Sequence, residues 1–210
     1  LTQAQLADIF LGKITNWSTL GCPSRPLTVV HRSDGSGTTF NFTNALACFS
    51  EEWKKKVGAG KAVQWPVGLA ARGNEGVAGV IQNTAGTIGY VNQAFLRGTV
   101  KPAALQNKAG KFVLPDASSG AAALNNIKLD ERLAGEECNP EGADSYPIVA
   151  FTWILAYQSG QGEPKAEAVR TFLLWALEEE RQKQAAELGF VPLSGDVLKR
   201  AREEVAKIKG

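Results

Sequence analysis

Methionine is absent from all 210 residues, and histidine occurs once, as His31. The missing initiator suggests a mature or excised piece and not a whole translation product. One imidazole leaves little material for a histidine metal site or a general base. Cysteine is nearly as scarce: Cys22, Cys48 and Cys138 are an odd number, at a spacing that fits no zinc or redox motif. No stretch reaches the roughly 18 apolar residues that a membrane-spanning helix needs, so the chain reads as soluble with any signal peptide already removed. An excess of one charge is lacking too. With 23 basic and 21 acidic residues and no block of like sign, nucleic acid and membrane surfaces are not expected partners, and any recognition of an anion must be local.

What is present is enough for a folded core, since 44% of the residues are apolar and a chain of this length buries them in one large domain or two small ones. The stretch that organises it is His31-Arg32-Ser33-Asp34-Gly35-Ser36-Gly37-Thr38-Thr39. Leu27, Val29 and Val30 before it read as a short buried strand, and Phe40, Phe42, Leu46 and Phe49 after it recur at helical spacing. The motif is therefore a strand-to-helix turn. Gly35 and Gly37 let the backbone approach a ligand closely, and the N–H groups of residues 36 to 39 point where the helix dipole is positive. Arg32 adds a permanent charge with a planar donor fork, which Asp34 can hold in place. An anion with several acceptor oxygens fits such a turn. Plain helix capping by Ser36 is the competing explanation for any shorter piece of it.

Elsewhere Thr2-Gln3-Ala4-Gln5 opens a capped helix, Thr87 to Val91 alternates as a strand, and Leu105 and Phe112 to Leu114 lie in candidate edge strands. Residues 117 to 126 suit a surface helix, and residues 130 to 145 read as a loop. Gly73-Asn74-Glu75-Gly76 opens another helix, with Asn74 as its expected N-cap and no ligand contact assigned to it. The most apolar run, Tyr146 to Tyr157, suits one long or two consecutive buried strands. Val169, Phe172, Leu173, Trp175, Ala176 and Leu177 mark an amphipathic helix, and Ser194 caps a last one.

Catalysis finds no support in this pattern. His31, Asp34 and Ser36 lie too close along one turn to converge as base, orienter and nucleophile, and a nucleophile elbow would need glycine where Asp34 stands. Gly58-Ala59-Gly60-Lys61-Ala62 lacks both the first glycine and the hydroxyl of a phosphate-binding P-loop. No cofactor and no metal is expected. Cys22 and Cys48 could pair, closing a loop worth about 3 kcal/mol by chain entropy, or stay as two free thiols; Cys138 has no obvious partner.

Arg32 to Phe40 resembles the phosphate-contacting segment of the PstS family, the solute-binding proteins of bacterial phosphate ABC importers. Further matches run in order: Leu11 to Trp17, Glu52-Trp53-Lys54, Gln64 to Gly68, Gly73 to Ala78 and Gly86 to Val91. The resemblance covers nearly the whole chain but only the later part of the family's pattern. It implies an α/β, type II periplasmic-binding-protein-like fold: residues 1–146 a central lobe carrying the binding loop, residues 147–210 a hinge crossover and the C-terminal part of the other lobe. It implies no enzymatic activity, a periplasmic or extracytoplasmic location, and inorganic phosphate and a membrane ABC permease as partners. Carried over by position, Arg32 is the charged donor, Ser36 a hydroxyl and backbone donor, Gly37 and Thr38 backbone donors, and Asp34 the group that orients Arg32. The alternative is a truncated or repurposed lobe that serves as a protein-interaction module, needs a complementary N-terminal segment or chain, or binds another oxyanion.

Overall fold

The computed structural model describes all residues from Leu1 to Gly210, and they divide into two compact units. The first holds Leu1–Asn126 and Cys138–Val149; the second holds Ile127–Glu137 and Ala150–Gly210. No helix is long and apolar enough to cross a membrane.

In the first unit α1 (Gln3–Phe10) starts at Thr2, whose side chain accepts from the Gln5 amide while Gln5 reaches back to the Thr2 N–H. Strand β1 (Thr28–Arg32) then leads into α2 (Gly37–Phe49) and the short α3 (Glu51–Lys56), followed by β2 (Leu69–Ala71), α4 (Gly73–Asn83) and β3 (Thr87–Gly89). The three strands form a parallel sheet in the order β2-β1-β3. Parallel neighbours need crossover connections, and here helices supply them. Val29 joins α1 and α2 in the main core with Leu6, Ile9, Phe10, Phe42, Leu46 and Trp53, while Val30 packs on the other face against Val77 of α4. Both faces of β1 are thus covered, which is why it reads as an apolar run and not as an alternation. Antiparallel β4 (Leu105–Gln106) and β5 (Phe112–Val113) and then α5 (Ala117–Leu124) complete the unit. Ser119, Gly120, Ala123 and Leu124 of α5 are buried, so this helix is less superficial than its composition suggests.

The cysteines correct the sequence reading. Cys48, at the end of α2, is bonded to Cys138, and Cys22 is free and exposed. A partner 90 residues away is brought in by tertiary folding, when the chain returns to the first unit at residue 138; spacing along the sequence carries no sign of it.

The second unit has no strand. Its elements are α6 (Glu163–Ala176), α7 (Glu179–Glu187) and α8 (Gly195–Ala206), with a small core of Ala166, Leu173 and Ile208. The strands expected between Tyr146 and Tyr157 do not form. A strand needs a paired neighbour, and no strand pairs with this run, whose Tyr146 N–H goes instead to the Ser119 carbonyl at 3.1 Å. Ile154, Leu155 and Tyr157 stand exposed, Leu155 almost completely at 96%. Ser194 does stand at the N-cap of α8, without a capping hydrogen bond from its side chain.

Candidate functional site

All three strands of the parallel sheet run the same way, so their carboxyl ends share one edge. The middle strand is the one where the order turns: β1 is followed in sequence by its neighbour on one side, and the next connection carries the chain to the other. Crevices at such a switch point are where open α/β sheets bind ligands. Arg32 ends β1, and Asp34, Ser36, Gly37 and Thr38 follow it into α2.

Arg32 and Asp34 form the expected pair. Nε of Arg32 donates to Oδ1 of Asp34 at 2.8 Å and Nη2 donates to Oδ2 at 2.5 Å. The arginine side chain is only 9% exposed and the carboxylate 35%, so the fork is fixed and largely shielded from water. Oδ1 of Asp34 also accepts from the backbone N–H of Gly73, at 3.0 Å. The guanidinium first, and this amide second, hold the Asp34 carboxyl far below the usual carboxylate range, while the same pairing raises Arg32. Because the N-terminus of α4 offsets part of the Asp34 charge, the charge on Arg32 is not fully spent on its neighbour.

Ser36 is the N-cap of α2, with its side chain accepting from the N–H groups of Thr38 at 3.0 Å and Thr39 at 3.3 Å. The capping and ligand readings of this residue are compatible, because a hydroxyl that accepts still has its own hydrogen to donate. Two expected roles are altered. The Ser36 N–H donates to the Lys61 carbonyl at 2.9 Å, and the Thr38 N–H is engaged by the cap, so neither backbone donor is free as the loop stands. Gly37, the first residue of α2, has an N–H with no intrahelical acceptor. A Cβ built on Gly35 or Gly37 would meet no protein atom within 4 Å, and neither residue has a positive φ. The fold does not demand glycine at either place, which leaves the surface above them open to something else.

Beneath the loop lies a layer of aromatic rings. Tyr90, just past β3, stacks on Phe42 at 4.4 Å, and Trp65 stacks on both Tyr90 and His31, at 5.6 and 4.8 Å. The Tyr90 hydroxyl accepts from the Arg32 N–H at 3.2 Å and shares a hydrogen bond with the Thr39 hydroxyl at 2.7 Å. Burial pushes this phenol up, so it stays neutral and pins the end of β1 to the first turn of α2. His31 is buried, with Nδ1 beside the Arg32 carbonyl at 3.1 Å; its role is packing.

The second motif behaves differently from its sequence reading. Arg72, not Asn74, is the N-cap of α4, and it makes no capping hydrogen bond. Gly73 takes φ +71°, and a side chain there would collide with the Glu75 carboxylate at 2.7 Å. That turn places the Gly73 N–H on Asp34 and the Asn74 side chain against Arg32. Neither Tyr90 nor Asn74 was identifiable as a site residue beforehand, because their contacts depend on the register of β3 against β1 and on the entry of α4. The one available signal was the pair of glycines flanking Asn74.

A family profile described as a PBP superfamily domain matches residues 1–180. The chain is similar to the phosphate-binding protein PstS of Xylella fastidiosa Temecula1, 44% identical over 95% of this chain and 58% of that one. It is similar to the PstS proteins of Pasteurella multocida Pm70 (40%, covering 95% and 61%) and Methanocaldococcus jannaschii (36%, covering 100% and 61%). The chain thus spans about three fifths of the length of these relatives. Among solved structures, it is similar in fold to a high-affinity periplasmic phosphate-binding protein, PfluDING, bound with phosphate: TM-score 0.73 at 22% identity, over 97% of this chain and 64% of that one. A phosphate-binding protein from Stenotrophomonas maltophilia gives a TM-score of 0.62 at 21% identity, covering 97% and 64%.

Proposed function

We propose, for a chain that belongs to the PBP superfamily and within it to the PstS family, that the turn between β1 and α2 binds inorganic phosphate, and that the chain acts in phosphate import. The observation that carries this is the Arg32 guanidinium, 9% exposed and held in two-point contact with Asp34 beside the N-terminus of α2. A tetrahedral oxyanion suits it because it offers acceptors to the remaining guanidinium N–H bonds, the Ser36 hydroxyl and the Gly37 N–H at once. Phosphate delivery to a membrane ABC permease is the transport step that goes with this family, and the chain would act there as a binding protein with no catalytic step. An extracytoplasmic location agrees with the Cys48–Cys138 disulfide.

The test is isothermal titration calorimetry of the anion-stripped chain with phosphate and then sulfate, with Arg32→Ala as control. Micromolar or tighter binding corresponds to about 8 kcal/mol. The expected result is such binding of phosphate, abolished in the variant. No heat from a folded, monodisperse sample contradicts it. A second reading, a lobe serving protein interaction, is favoured by the exposed Ile154, Leu155, Tyr157 and Phe172; self-association without phosphate binding would support it.

A further inference from the structure

Asn74 is the residue of the second glycine motif for which neither capping nor core packing accounts. It is the second residue of α4, and its Oδ1 accepts from Nη1 of Arg32 at 3.3 Å and from the backbone N–H of Asn92 at 3.3 Å. Both neighbours are donors, so the oxygen and not the amide nitrogen faces them. The Asn92 amide belongs to the segment that follows β3, and the next link in the same turn of α4 is the Gly73 N–H on Asp34.

A guanidinium has five N–H bonds. Asp34 takes one from Nε and one from Nη2, which fixes one edge of the plane but leaves Nη1 at the far corner. Asn74 takes one from Nη1. The two N–H bonds that remain, one on each Nη, are those an anion can use. An arginine fixed on one edge alone can tilt about that edge, and fixing the opposite corner removes the tilt before the ligand arrives. Preorganisation of this kind saves ordering entropy on binding.

We propose that Asn74 is a positioning residue of the anion site, holding the Nη1 corner of Arg32 so that its two free N–H bonds face the ligand. The value of this clamp for affinity rests on the reading of the site as a phosphate site; the clamp itself does not. Asn74 acts through Arg32 and touches no ligand, and its effect must vanish when Nη1 is removed.

The test uses the full chain in two steps. First, without phosphate, 15N–1H spectra of the arginine side chains read rotation about the Cζ–Nη1 bond of Arg32. Slowed rotation is expected in the unsubstituted protein, fast rotation in Asn74→Ala, and an unchanged Nε–H in both, since Asp34 holds it. Asn74→Asp keeps an acceptor oxygen at the same place and is expected to keep rotation slow, which also covers the case of an alanine variant that folds poorly. Second, Asn74→Ala is expected to weaken phosphate binding about tenfold with a melting temperature within about 2 °C of the parent. In an Arg32→Lys background, which has no Nη1, the same substitution is expected to change the Kd less than about twofold. Rotation that does not respond to Asn74→Ala, or an equal loss of affinity in both backgrounds, overturns the proposal. A clamp signature without any phosphate heat overturns the phosphate reading and leaves the positioning role standing.

Discussion

The two units of this chain treat their apolar helices in opposite ways. In the first, the stripe of α2 finds the sheet: Phe42 and Leu46 are buried against Val29, Phe10 and Tyr90. In the second, α6 carries an equally plain stripe, yet Leu173 is buried while Phe172 is 59% and Trp175 is 46% exposed, stacked on each other with Arg181 over the indole. The difference is the sheet. A helix side chain loses water only where a second layer covers it, and the second unit has three helices with no strand among them. The run that precedes α6 shows the same thing from the strand side, with apolar residues present and no partner strand. The candidate anion site lies in the unit where both layers exist, and fixed geometry at Arg32 depends on that.

The largest effect should come from the covalent link. Reducing Cys48–Cys138 opens a loop whose closure is worth about 4 to 5 kcal/mol on the chain-entropy model. Hydrogen exchange should show faster opening across α1, α2 and β1, with α6 to α8 unaffected; equal acceleration in both units would erase the distinction between them. Next, Leu46→Ala should cost about 3 kcal/mol because Leu46 is fully buried. Leu155→Ala should cost well under about 0.5 kcal/mol, read from chemical denaturation. A large loss at Leu155 would mean that the run is covered in solution.

Much of the first unit was legible. The Thr2 capping box, the strand and helix on either side of the anion motif, and the existence of β4 and β5 all follow from local chemistry that short stretches carry. Three features were not. The disulfide joins residues 90 apart. Asn74 looks like a cap until Gly73 turns the chain at positive φ and moves the cap to Arg72. The run from Tyr146 has the composition of a buried strand, but composition states a need for partners and cannot supply them.

Smaller effects sharpen the comparison within the site. Gly37→Ala should leave stability unchanged or raise it slightly, since nothing crowds a Cβ there and alanine favours helix by about 1 kcal/mol. The same change should weaken phosphate binding about tenfold by obstructing close approach of the anion. Loss of stability without loss of affinity would assign Gly37 to the fold. The pH dependence should be smaller still. Asp34 and Glu52 are both held below their ordinary values, Glu52 to about 2 by Lys13 and Lys56, so their contribution is complete above the unfolded carboxylate range and is lost as pH falls through the folded values. Melting temperatures of the first unit should be flat in these groups between pH 5 and pH 8 and decline below about pH 4. Because the Glu52 pairs are exposed, Glu52→Gln should leave the denaturation midpoint of the first unit essentially unchanged.

The most direct measurement is a phosphate titration followed by backbone amide spectra of the uniformly 15N-labelled chain. Saturable shifts of the Gly35 to Thr38 amides with phosphate, absent with sulfate and absent in Arg32→Ala, are the expected result. Shifts confined to other residues, or none at millimolar phosphate, would contradict the assignment of the anion site to the turn between β1 and α2.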